Sequence, residues 1–162
     1  MAVDMFLELD PIKGESQDSK HKDKIDVLSW SWGLSQSGSM HSGTGGGTGK
    51  CSVQGLTFTH WVDKATTDLI KYCATGKHID KGKLVVRKAG GESPVDYITL
   101  ELEDVIITNV HTGGSHGEER LTENVTLNFA KFKYRYDQQS KEGTAKKGTP
   151  WGWDISANKE QS

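Results

Sequence analysis

Apolar side chains in this chain recur at every second position in one segment after another, which is the spacing of a β-strand that buries one face. Met5, Leu7 and Leu9 alternate with Phe6 and Glu8 and predict a first strand that stops at Pro11. In the next run Leu28, Trp30, Trp32 and Leu34 hold the even positions, with Ser29, Ser31 and Gly33 between them. Leu56, Phe58, His60 and Val62 repeat the pattern, as do Leu84 and Val86. Between 94 and 114, Ile98, Leu100, Leu102, Ile106 and Val110 predict one long strand or a bent pair. The following run changes parity: Val125, Leu127 and Phe129 are odd, whereas Phe132, Tyr134 and Tyr136 are even. A strand that swaps faces midway predicts a bulge or a barrel corner. Trp151, Trp153 and Ile155 give a last short strand.

The segment "DKATTDLIKYCATGKH" follows a helical period instead, with Leu69, Ile70 and Cys73 on one side. Asp63 or Thr66 is placed to cap its start, Lys71 suits its last turns and Gly76 is placed to end it. Many strands, one short helix and no strand–helix alternation predict an all-β, mainly antiparallel fold. The expected architecture is a compact β-barrel of two packed sheets with one short α-helix and a long extended glycine-rich loop. Its 162 residues read as a single domain with a proper core.

Several function classes lose support at this stage. The 20 basic and 22 acidic residues are interspersed, with a net charge of −2, and give neither a basic stripe for nucleic acid nor a polybasic membrane helix. No stretch approaches a membrane span, and Asp4, Glu8 and Asp10 interrupt the apolar run that a signal peptide needs. The chain therefore reads as made soluble in the cytoplasm. Cys51 and Cys73 fit no zinc spacing and are not expected to pair, so they read as buried small residues or bystanders.

Three motifs imitate active-site chemistry. "TGGGTGK" lacks the leading glycine of a phosphate loop, and Cys51 stands where the magnesium-binding hydroxyl belongs; a strand pattern follows it rather than a helix. Gly113, Gly114, Ser115, His116 and Gly117 match a nucleophile elbow in letters, but both flanks are strand-like, so the segment reads as a turn. His111 and His116 lack a third metal ligand, and Glu101, Glu103 and Asp104 alternate as solvated strand residues. No catalytic set, cofactor or metal site is expected.

Trp30 and Trp32 could stack on a ligand, but their alternation with serines favours core packing. That leaves Ser29, Ser31 and Gly33 outward as a smooth, small, polar face suited to solvent or to a wide aqueous space.

"IDVLSWSWGLSQSGSMH", the glycine tract after it, "RKAGGE", "TGGSHGEERLTENVTLNFAKFKYRY" and the terminal "WGWDI" together resemble the haemolysin-coregulated protein (Hcp) family of bacterial type VI secretion systems. The resemblance spans essentially the whole chain, and "LTENVTLNFAKF" is its most specific block. It implies a β-barrel assembled into hexameric rings that stack as the inner tube of the secretion machine. A contractile sheath surrounds such a tube, a VgrG-type spike caps it, and effector proteins are held inside the ring before export. A small barrel fills its own interior, so any channel must come from barrels arranged around an axis.

Under that reading Ser29, Ser31 and Gly33 are candidates for lining the lumen. The glycine-rich segment (Ser37, Gly38, Ser39, Met40, His41, Gly43, Gly45, Gly46, Gly47 and Gly49) is too poor in apolar side chains to fold on itself, and it is the candidate docking arm onto a neighbouring subunit. Gly90, Gly91, Trp151 and Trp153 are candidates for ring-to-ring contacts. The implied partners are self, spike, sheath and effectors, with neither nucleic acid nor membrane insertion; the protein is cytoplasmic when made and extracellular after firing, without a cleaved signal peptide. The alternatives are a monomeric β-barrel ligand binder using Trp30 and Trp32, and a divergent Hcp acting mainly as effector carrier. Toxin-bearing relatives carry a further C-terminal domain, whereas "ISANKEQS" follows directly on the last strand, so no enzyme activity is expected. The loop 138–150 has no assigned role.

Overall fold

The structure is a computed structural model that describes residues 3–38, 49–88, 94–142 and 145–161. In chain order its elements are β1 (Val3–Glu8), β2 (Ile25–Ser31), β3 (Leu34–Gln36), β4 (Cys51–Val53), β5 (Leu56–Trp61), α1 (Thr66–Thr75), β6 (Ile79–Lys88), β7 (Val95–Thr112), β8 (Thr122–Tyr136), β9 (Gln138–Gln139), β10 (Ala145–Lys146), β11 (Trp151–Asp154) and β12 (Lys159–Gln161). The main sheet runs β12-β11-β8-β5-β2-β1-β6-β7, and β7 pairs back onto β8, so six strands close into a barrel. The two layers expected from the sequence are the two walls of this one closed sheet. β8 serves three neighbours: its first half pairs with β5, its second half with β11, and most of its length with β7.

The parity swap marks a corner. Along β7 the buried positions are Leu100 and Leu102, then Val105 and Ile107, and the switch falls at Asp104, whose φ is 53°. β8 switches at the same level, from Phe129 to Phe132, with Val105 paired to Phe129. Ile106, expected in the core, is only half-buried because the turn of the chain gives its place to Val105 and Ile107. A second irregularity, between Ile107 and Asn109, brings Val110 back against the core.

β2 holds a bulge between Val27 and Ser29. The extra residue moves every later side chain to the other face. Ile25 and Val27 are therefore buried and Trp30 packs against the core, while Leu28 is turned outward, 38% exposed. Leu34 also departs from the expected face: it is 45% exposed, in the separate β3–β4 hairpin.

α1 packs on the barrel through Ala65, Leu69 and Tyr72, with Ile70 exposed. Neither Asp63 nor Thr66 is the capping residue. Ala65 is, and it makes no side-chain cap; Asp63 instead accepts the Ala65 N–H at 2.8 Å, one step earlier. Gly76 ends the helix at φ 68°, its N–H donating to Tyr72 O at 3.0 Å, a conformation that L side chains resist.

Phe6 points away from the barrel interior yet is buried, because the segment from Gly14 to Lys24 folds over it. His21 stacks on its ring at 4.5 Å, and the Arg87 guanidinium lies 5.1 Å from it. Arg87 in turn donates to Asp18 at 2.7 and 3.0 Å and to Asp4 at 3.1 Å. Lys24 Nζ lies 3.2 Å from His21 Nδ1, and Asp96 is 3.7 Å from His21 Nε2. Burial, with Lys24 beside it, pushes the His21 imidazole below its ordinary value of 6.5. Arg87 holds the Asp18 carboxyl down at about 2.

Both groups make this clasp weaker in acid. The unfolded chain protonates its imidazole first, so the His21 contribution is complete above pH 6.5 and declines as pH falls below it. The Asp18 contribution is present above 3.8 and lost as pH falls through about 2. The thermal midpoint of the wild type is expected to drop on acidification in two steps, and His21→Leu is expected to lose the upper step only. Identical pH profiles for the two proteins would remove His21 from this account.

Candidate functional site: a neutral face on the barrel wall

The bulge that turns Leu28 outward also sets Ser29 and Ser31 on the outer surface, with Trp30 between them facing in. On the neighbouring strand Leu56, Phe58 and His60 fill the interior, so Thr57 and Thr59 must face the same way as the serines. β8 continues the pattern with Asn124 and Thr126, and β7 with His111 and Asn109. The register aligns them. Ser29, Thr59, Asn124 and His111 form one row across four strands, and Ser31, Thr57, Thr126 and Asn109 form the next.

The side chains in these rows bond to each other. Thr57 Oγ1 and Thr126 Oγ1 lie 3.1 Å apart, and Thr59 Oγ1 donates to Asn124 Oδ1 at 2.5 Å. Such cross-strand pairs satisfy part of the polar surface internally and keep it flat. Gly33 lies beyond the end of β2, beside Gln54, whose N–H donates to Gly33 O at 3.0 Å. It extends the smooth surface but is not part of either row.

The other half of the barrel surface has the opposite character. Glu8, Lys83, Glu101 and Lys133 form one row across β1, β6, β7 and β8. Lys81, Glu103, Lys131, Asp154 and Lys159 form a second across β6, β7, β8, β11 and β12. Every neighbour in both rows has the opposite sign. A molecule sliding past this half meets fixed charges at each step, whereas the two rows on β2, β5, β8 and β7 offer hydroxyls, amides and one imidazole, with no carboxylate, lysine or arginine among them.

Of the candidate interface residues, Ser37, Gly38 and Gly49 are described. Gly49 packs against Ser37 where the β3–β4 hairpin opens, and Gly38 has open space around it. Ser39, Met40, His41, Gly43, Gly45, Gly46 and Gly47 lie outside the described residues, as do Gly90 and Gly91. Trp151 and Trp153 are stacked at 5.7 Å; Trp151 is 47% exposed and Trp153 is packed against the core. Cys51 opens β4, so a strand and not a helix follows the glycine tract, and Ser115 sits in the exposed turn between β7 and β8. Residues of the unassigned loop form the small β9–β10 hairpin.

One polar cluster was not anticipated. His60 and Glu123 are paired in register inside the barrel, both fully buried, with Nε2 2.7 Å from Oε1. Thr66 Oγ1 donates to the same carboxylate at 2.7 Å, and Asp63 lies 3.8 Å from His60 Nδ1. Parity is the signal that could have revealed it: Glu123 shares the inward face with Val125, Leu127 and Phe129. The cluster ties α1 to the barrel, with His60 and Glu123 sealed inside and Asp63 at its edge. Among the described residues no group of three His, Cys, Asp or Glu side chains is placed to hold a metal, and no helix is long and apolar enough to cross a membrane.

With this geometry in hand, comparison with known proteins is specific. Residues 6–136 match the family model described as type VI secretion system effector, Hcp. The protein hcp1 of Pseudomonas aeruginosa is 54% identical over 160 residues, covering 98% of both chains. The crystal structure of Hcp1 from Salmonella typhimurium superposes with a TM-score of 0.81 at 43% identity, over 99% of this chain and 100% of that one. A solved type six secretion system protein, 29% identical, superposes with a TM-score of 0.93 over 99% of this chain and 100% of its own.

Proposed function

This chain belongs to the Hcp family of type VI secretion tube proteins, structural components and not enzymes, and from that premise we propose that six copies close into a ring whose inner wall is the β2–β5–β8–β7 face. The observation that carries the reading is the pair of neutral rows from Ser29 to His111 and from Ser31 to Asn109. A conduit for diverse effector proteins has to hold them weakly, and these are the rows of the barrel wall without fixed charges. The alternating charges of the other half are then turned away from the cargo.

Rings stack into the inner tube, inside a contractile sheath and beneath a VgrG-type spike, and effectors occupy the lumen before export. The subunit is made in the cytoplasm and leaves the cell on firing. The segment from Ser37 to Gly49 leaves the barrel through the β3–β4 hairpin, which pairs only with itself among the described strands, and it reaches a neighbouring copy. Trp30 and Trp32 are both half-buried against the core, which weakens the solitary ligand-binder alternative because only part of each ring is left to stack on a ligand. Light scattering on the purified protein is expected to give about six times the 17.8 kDa of one chain, with six-fold rings and a central hole in negative stain. A single-chain mass at every concentration tested, with no rings, would contradict the reading.

A further inference from the structure

Apart from Ile70 on α1, the large apolar side chains exposed among the described residues fall into two separate groups. Leu34, Tyr136 and Trp151 surround a groove of about 600 Å³ whose floor includes Trp32, Phe132 and Tyr134. Its aromatic rings form a continuous wall: Trp32 meets Phe132 at 4.8 Å, and Phe132 meets Trp151 at 6.0 Å. Val3, Leu28, Val62 and Leu121 form the second group, beside two adjoining hollows of about 330 and 410 Å³ that share Asp26, Trp61 and Arg120. Tyr136 ends β8 and Leu121 immediately precedes its first residue, so the groups flank a 15-residue strand whose contour is about 50 Å.

The two groups also differ in charge. Lys146 and Lys147 are exposed directly before Gly148, which lines the groove, and a Cβ on Gly148 would strike Tyr136 O, so this segment is held tightly against the groove's edge. Arg135 on the same strand is paired with Asp137 at 3.2 Å, and Glu160 accepts the Trp151 indole N–H at 3.2 Å, so the two exposed lysines outweigh the one carboxylate beside Trp151. The second group is lined by Glu15, Asp4, Asp26 and Asp63; Arg120, whose guanidinium lies 4.5 Å from the Trp61 ring, is the cation in the lining, and Asp4 is paired with Arg87 at 3.1 Å. Burial pushes the Asp26 carboxyl above its usual value, and Asp63 and Asp4 add to the repulsion.

A self-complementary dimer needs one patch that fits itself. Two unlike patches of opposite sign on one chain suit head-to-tail contact, in which each copy offers one half to each neighbour. We propose that the Trp32/Trp151 groove, with Lys146 and Lys147 on its rim, receives the acidic Val3/Leu28 face of a second copy of this chain, the lysines meeting Asp26. Leu28 is the apolar residue that enters the groove. The contact deepens the ring reading above and rests on it.

The test is a charge swap read by light scattering at fixed salt. Lys146→Glu with Lys147→Glu is expected to lower the assembled fraction at least about tenfold, a change equivalent to about 1.4 kcal/mol. Asp26→Lys alone is expected to do the same, and the triple variant to recover most of the assembly. All three positions are exposed, and far-UV circular dichroism checks that each variant is folded. Undiminished rings in the lysine variant would overturn this contact and leave the ring reading standing. Disruption without recovery in the triple variant would overturn the pairing with Asp26. A wild type that stays a single chain would remove the ring reading and this contact together.

Discussion

Glu123→Ala is expected to cost about 3 kcal/mol of folding stability, because it removes one partner of a buried polar contact and leaves the other unsatisfied. The Glu123 carboxylate sits 2.7 Å from His60 Nε2 inside the barrel and accepts the Thr66 hydroxyl at 2.7 Å. Truncation leaves an imidazole and a hydroxyl without that partner at a site with no solvent. It also opens a cavity where β5, β8 and the start of α1 meet. Glu123→Gln keeps the shape and an acceptor oxygen and is expected to lose much less. Replacing both partners, His60→Leu with Glu123→Leu, is expected to recover most of the loss, since an apolar pair needs no hydrogen bonds. Urea unfolding of the four proteins checks the series. A loss under about 1 kcal/mol for Glu123→Ala would mean that the pair contributes little.

Ser29→Arg is the corresponding prediction for function. Ser29 lies in the neutral row with Thr59, Asn124 and His111, and its side chain is exposed. In a six-fold ring the substitution places six guanidinium groups around one level of the channel. Charges facing each other across a confined space interact over roughly a Debye length, about 8 Å at physiological salt, and repel or trap cargo according to its sign. The ring is expected to form with unchanged mass, because the Ser29 side chain belongs to the neutral row and not to the contact proposed for its neighbour Leu28. Effector release into the medium is expected to fall on the order of tenfold, corresponding to about 1.4 kcal/mol of altered lumen affinity. Glu101→Gln, in the charged half, is the control and is expected to leave release unchanged. Equal release from Ser29→Arg and wild type would take the row out of the lumen; a loss of ring mass would instead put Ser29 at a subunit contact.

How far the sequence carried this account depends on how local each cause is. Strand positions followed from period-two alternation, and the helix from Leu69 and Gly76, because both signals are written in neighbouring residues. The swap in β8 was legible as a corner, yet the matching swap at Asp104 was not, since Ile106 continues the even parity in letters. The bulge after Val27 was equally hidden: Leu28 looks like its core neighbours, and only pairing with β5 shows the extra residue. Phe6 was expected on the outer face and does point outward, but its burial depends on a loop folding back with His21 and Arg87. Such long-range cover leaves no periodic trace.

The neutral face was half legible. Ser29 and Ser31 stood out between two tryptophans, whereas Thr57, Thr59, Asn124 and Thr126 alternate just as plainly but join the face only through register. Rows across strands are a property of pairing, and a single strand cannot display them. The same holds for the charge rows: Glu101 and Glu103 look unremarkable until Lys83, Lys81, Lys133 and Lys131 are set beside them.

The most direct test of the central claim is a cryo-electron microscopy map of the assembled rings at a resolution that shows side chains. The account predicts that the Ser29–Thr59–Asn124–His111 and Ser31–Thr57–Thr126–Asn109 rows face the central hole, with the Glu101 and Lys131 rows turned away from it. Rings with the charged rows lining the hole, or with the neutral rows buried between subunits, would contradict it.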